Sequence, residues 1–189
     1  MTDLGSLTRR YLVIGAFDGA LTIVAIVLGA LSTVVLFGAF IGPLDVRILF
    51  QAGIAATIGL AISSGWGAYE AERMERKREV QSLEQQMQRP MNGCMVDAAV
   101  RFATMRASFI HGLAPIPAAI IPLIPIILMP YDFILAAVIS VIITMVFLFA
   151  LGLWMGQLAK ASMLAGGLRM VLAGVVTALI LVALAALLG

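Results

Sequence analysis

Five apolar runs constrain this chain more than any motif in it. They cover residues 11–42, 48–69, 107–131, 133–159 and 170–188, the last with room to extend back to 161. A helix needs ~20 residues at 1.5 Å each to cross ~30 Å of hydrocarbon, and every run meets that length, the fifth only just. Backbone groups in lipid must pair within their own segment, so helices are the economical structure. The alternating pattern of a membrane barrel is absent. Composition agrees: 62% of the 189 residues are hydrophobic and 12% are charged, against about a quarter charged in soluble domains. A soluble enzyme is excluded, and no nucleophile–base pair, phosphate loop or metalloprotease motif appears. The single cysteine, Cys94, rules out an intrachain disulfide and a cysteine zinc cluster. The first run is too long for a signal-peptide core and has no obvious cleavage site after it, so it reads as a retained helix.

Charge placement orients the bundle. Eleven of the twelve basic residues flank the first span, fill the segment between the second and third, or lie around the fourth-to-fifth connection; Arg47 alone lies on the other side. The positive-inside rule then places the N-terminus in the cytoplasm and the C-terminus outside, as an odd number of spans requires. The chain reads as one all-α transmembrane domain, 1–189, in the plasma membrane of a prokaryote, in contact with the lipid bilayer and with no nucleic-acid partner.

One stretch, 70–106, is not membrane. Its acids Glu70, Glu72, Glu75, Glu79, Glu84 and Asp97 nearly balance its bases. No Pro or Gly interrupts 70–89, so a helix should continue out of the second span. Val80, Leu83, Met87 and Met91 give it one apolar edge. Pro90 and Asn92-Gly93 should break it. A second amphipathic piece, with Met95, Ala99, Phe102 and Phe109 on one side, feeds the third span. That span holds Pro115, Pro117, Pro122 and Pro125, each removing a backbone hydrogen bond, so a kinked or partly unwound helix is expected, with Pro122 and Pro125 at the kink. Small residues four apart at Gly15/Gly19, Gly38/Gly42, Ser63/Gly67 and Gly152/Gly156 suit close helix packing.

The residue that stands out is Asp18. No other charge appears from Gly19 to Leu44. Intramembrane acids face a bundle interior, a partner or an ion path. Asp18 lies eight residues past Arg10, roughly 12 Å along the axis, and Ser63 and Ser64 lie about 8–10 Å in from the exit of the second span, at comparable depth. Thr22 is one turn beyond Asp18 on the same face. A carboxylate with nearby hydroxyls is a hard, oxygen-rich site for a divalent cation or a proton. The alternatives are that Asp18 reaches interfacial water or pairs with an arginine such as Arg106 or Arg169. Glu72, Glu75 and Glu79 share a face and could collect cations; on spacing alone, a solvated helix laced with i,i+4 pairs such as Glu72–Arg76 is the favoured reading. His111 reads as a hydrogen-bonded interfacial residue, the eleven methionines as packing, and Asp45 and Asp132 as solvated turn residues.

The pattern resembles the vacuolar iron transporter family. Gly15-Ala-Phe-Asp18-Gly19-Ala-Leu-Thr22 in the first span carries the likeness, as do Ser63 followed by Gly67-Ala68-Tyr69, Pro122-Leu-Ile-Pro125, and Gly166-Gly-Leu-Arg-Met-Val-Leu-Ala-Gly174. It covers nearly the whole chain. The resemblance implies a homodimer whose first helices line a path for Fe(II), and Mn(II) besides, exchanged for protons and exported from the cytoplasm. It implies Asp18 as the metal and proton site, and Glu70, Glu72 and Glu75, by region only, as cytoplasmic metal collectors. Two departures stand out. The family's Ser-Met pair is here Ser63-Ser64, and its Gly-Glu-Tyr is here Gly67-Ala68-Tyr69. Oxygen-only ligands suit harder ions such as Mn(II) or Mg(II). The cytoplasmic insertion is also shorter than the family's.

The sequence therefore predicts a proton-coupled transporter of Fe(II) or Mn(II), carried as substrate, with no resident cofactor and no enzymatic activity. Its metal path runs over Asp18, Thr22, Ser63 and Ser64, fed by Glu70, Glu72, Glu75 and Glu79. A non-transporting membrane scaffold or partner-binding protein, derived from the transporter fold, is the second reading, motivated by the short insertion and the lost Met and Glu.

Overall fold

The computed structural model describes residues 4–88 and 95–188. Six α-helices account for nearly all of them: α1 (Leu4–Phe37), α2 (Pro43–Met87), α3 (Met95–Leu113), α4 (Pro115–Leu128), α5 (Phe133–Leu158) and α6 (Met163–Leu188). Five spans are long and apolar enough to cross a membrane, the third being the end of α3 joined to α4, Thr104–Leu128. The chain is thus an integral, multi-pass, all-α membrane protein.

Local chemistry moves the expected boundaries. The first helix ends at Phe37 rather than near 42, because Gly38 takes a left-handed backbone (φ +64°) and donates its amide to the Val34 carbonyl at 3.0 Å. Gly38 and Gly42 therefore lie in the connection and form no helix-packing pair. The second helix starts at Pro43, five residues earlier than expected. Proline suits a first helical position, and the Gly42 amide donates to the Asp45 carboxylate at 2.9 Å. Asp45 and Asp132 are exposed, and each caps a helix; Asp132 Oδ1 accepts from the Leu135 amide at 3.3 Å. The last helix begins at Met163, where Ser162 Oγ accepts from the Ala165 amide.

α2 is 45 residues long, about 67 Å at 1.5 Å per residue, which is twice a bilayer core. It runs unbroken through Glu70 to Met87. The break expected at Pro90 and Asn92-Gly93, like Met91 and Cys94, lies outside the described residues. The third span is interrupted at Ala114. Pro115 has no N–H to return to the His111 carbonyl, so one rung of the ladder is missing there. Pro122 and Pro125, where the kink is expected, lie inside α4, whose helical course continues through them.

α1 is the hub: it packs against every other helix. Its Ile23 and Val27 join Val46 of α2, Ala119, Leu123 and Ile126 of α4, and Phe133, Ala136 and Ala137 of α5 in the main core. A smaller cluster of Val13, Ala16, Ala118 and Leu151 lies beside it. In lipid, apolar burial drives little association, so close packing and interhelical hydrogen bonds must hold the bundle. Gly15 and Gly19 bring α1 onto Ala114 and Pro115; a Cβ at Gly19 would lie 2.7 Å from Pro115 Cα. Gly152 and Gly156 do the same for α5 against α6. The Ser63/Gly67 pair does not pack within the protomer, since Gly67 has open space around it. Gly65 of α2 instead meets Gly112 of α3, a contact the spacing of either helix alone does not announce. Ser140 Oγ donates to the Pro122 carbonyl at 2.6 Å, tying α5 to α4 in a fully buried position. Leu172, Leu179 and Ile180 of α6 face outward to lipid.

Candidate functional site

Asp18 lies mid-way along the hub helix and is half-buried. Among the described residues no ion pair or hydrogen bond reaches its carboxylate, and Arg106 and Arg169 are both exposed and unpaired with it. The titratable side chain close enough to act on it electrostatically is His111 of α3. An acid placed here without a counter-charge is expensive in hydrocarbon, which argues that something else completes it. Thr22 Oγ1 donates its proton to the Asp18 backbone carbonyl at 2.7 Å, so its lone pairs remain able to accept. Ser64 is half-buried and Ser63 exposed; Ser63 Oγ donates to the Leu60 carbonyl at 3.1 Å, and no hydrogen bond joins either serine to Asp18. The predicted level of α2 with α1 thus brings no serine onto the carboxylate.

The four candidate glutamates of the α2 extension, Glu70, Glu72, Glu75 and Glu79, part company. Glu70 pairs with Arg73 at 3.5 Å, Glu79 pairs with Arg76 at 2.8 Å, and Glu75 is exposed. Glu72 differs: only 8% of its side chain is exposed. Its Oε1 accepts from the Tyr11 hydroxyl at 2.7 Å, and its Oε2 lies 3.7 Å from Arg76 Nε. Within the protomer, no three His, Cys, Asp or Glu side chains among the described residues gather into a metal-holding group.

Tyr11 and His111 complete a polar cluster beside Glu72. The rings lie 5.0 Å apart, tilted by 52°. His111 Nδ1 is 2.9 Å from the Tyr11 backbone carbonyl. A carbonyl can only accept, so Nδ1 carries the proton, and a neutral ring keeps its lone pair on Nε2. His111 is buried rather than interfacial. Its carbonyl, freed by Pro115, faces Gly15 of α1, where a Cβ would come within 2.8 Å of it. Sequence reasoning did not single out Tyr11. The available signal was its spacing: Tyr11, Asp18 and Thr22 recur at helical intervals on one face of α1.

Two comparisons bear on this arrangement. A family model described as the VIT family matches residues 85–186. An uncharacterized protein of Methanocaldococcus jannaschii is 27% identical over 181 residues, covering 93% of this chain and 87% of its own length.

Proposed function

The chain belongs to the VIT family, and from that premise we propose that it carries divalent metal cations, Fe(II) or Mn(II), out of the cytoplasm in exchange for protons. Family membership supports membrane metal-ion transport as the general activity and a transporter rather than an enzyme. The ion, direction and coupling are our reading. It rests on one observation above the rest: an unpaired, half-buried carboxylate in the helix that touches all the others. A divalent cation asks for about six oxygen or nitrogen donors. One protomer offers the Asp18 carboxylate, the Thr22 hydroxyl and the lone pair of His111, which is too few. A second copy related by a two-fold axis along α1 doubles the set. The half-buried positions Asp18, Ala25 and Gly29 share that side of α1, and Gly29 has open space around it. Protons would compete with metal for the same carboxylate, which is the physical basis for antiport. The basic loops would face the cytoplasm of a prokaryotic plasma membrane. Glu70, Glu75 and Glu79 would act as an electrostatic funnel at that face, since Glu70 is half-buried, Glu75 and Glu79 are exposed, and the three do not form a cage. Pro115, by freeing the His111 carbonyl, would let the third span bend near the site.

The test is a metal-flux panel in proteoliposomes with an imposed proton gradient. Wild-type protein should show saturable Fe(II) or Mn(II) flux that responds to the gradient. Asp18→Asn should abolish it while the dimer persists by size-exclusion chromatography. Undiminished flux in Asp18→Asn removes Asp18 from the path. No saturable flux of Fe(II), Mn(II), Co(II) or Zn(II) in wild type would leave the scaffold reading, which the dispersed glutamates also allow.

A further inference from the structure

We propose that Tyr11, Glu72 and His111 form a gate between the basic-loop face and Asp18, an inference that takes Asp18 as the cation site. Tyr11 precedes Asp18 by seven residues, so it sits two turns, about 10 Å, nearer the helix start on the same face. A cation moving along that face must pass it. At that level three helices converge: Tyr11 of α1, Glu72 of α2 and His111 of α3. Glu72 is the informative member. Glu75 and Glu79, on the same helix, remain exposed, as a merely solvated run requires. Glu72 turns inward and is held by the Tyr11 hydroxyl at 2.7 Å, with Arg76 at 3.7 Å behind it. A buried carboxylate is retained only while its hydrogen bonds hold. A cation arriving from the funnel offers Glu72 a stronger partner than a neutral phenol. Binding therefore favours the open arrangement, and the ion itself biases the gate. His111 backs the Tyr11 ring and is anchored to its carbonyl, so it sets the closed position of that ring.

Thiol labelling tests the gate without relying on transport. The background is Cys94→Ser with Thr22→Cys, one turn beyond Asp18, in sealed vesicles whose 70–106 segment is outward by protease sensitivity. A cationic methanethiosulfonate is added outside. Tyr11→Phe keeps the ring and removes the donor; Glu72→Met keeps the length and removes the acceptor. Each should raise the labelling rate about tenfold, the change expected from losing one hydrogen bond to a charged group. The double variant should go no further than either single one. Gln81→Ala, an exposed control on the same helix, should label at the parent rate. Labelling no faster than the parent in both single variants overturns the gate, and so does an equal rise in Gln81→Ala. Should Tyr11→Phe lose its monodisperse elution profile, Glu72→Met decides alone. Flux in Asp18→Asn reports separately on the cation site, so failure of that site and failure of the gate are told apart.

Discussion

Gly19 on α1 and Gly152 on α5 use the same device in two places, and only one place carries charge chemistry. At both, a missing side chain lets one helix backbone touch another: a Cβ at Gly19 would lie 2.7 Å from Pro115 Cα, and one at Gly152 would lie 2.7 Å from Gly167 Cα. Around the α5–α6 contact the neighbours are apolar, Leu148, Phe149 and Met145 among them. Around the α1 contact lie Tyr11, Asp18, His111 and, through the Tyr11 hydroxyl, Glu72. The difference teaches that small-residue spacing marks where helices meet and says nothing of what they do there. Function is read from the polar groups that the close approach holds in register.

Substitutions can break this comparison, beginning with the largest effect. Asp18→Asn should abolish metal flux, whereas Gly152→Ala should leave flux per folded molecule unchanged; parallel proteoliposome assays decide, and equal loss in both would collapse the distinction. Next, Gly19→Ala and Gly152→Ala should each destabilise the bundle by about 1–3 kcal/mol through overpacking against backbone. Thermal unfolding in detergent should register both, with flux falling only for Gly19→Ala, because its shift displaces the face bearing Asp18. Ser140→Ala should follow at about 1 kcal/mol, the loss of one buried hydrogen bond to the Pro122 carbonyl. A melting temperature equal to wild type would show that this bond carries nothing. Smallest of all, Gly67→Ala meets open space within the protomer and should change stability by no more than about 0.5 kcal/mol. A shift in oligomer mass in that variant would instead place α2 in the contact between copies.

Several features were legible in the residues. Asp18 stands out because no other charge occurs near it in the first span. The long polar continuation of α2 follows from an uninterrupted helical run at 70–87. Other features were not legible. Glu72, Glu75 and Glu79 share one helical face on paper, yet only Glu72 is buried, because α1 covers that level of α2 and not the levels beyond. The interruption of the third span falls at Ala114, although five prolines, from Pro115 to Pro130, compete for it in the sequence. Gly65 and Gly112 are each unremarkable in their own helix, and their contact exists only because α2 and α3 cross there.

The sequence by itself determined the five spans, their helical form and the presence of a carboxylate in the first, since apolar length and backbone satisfaction in lipid are local properties of a segment. Tertiary structure alone decided that Asp18 stands without an ion-pair partner among the described residues, that His111 is buried against Tyr11, and that Glu72, but not Glu70, Glu75 or Glu79, turns inward. Each of these depends on how far one helix is rotated and shifted against its neighbours. That rotation is set by contacts between residues distant in sequence, such as Gly19 with Pro115 and Tyr11 with Glu72.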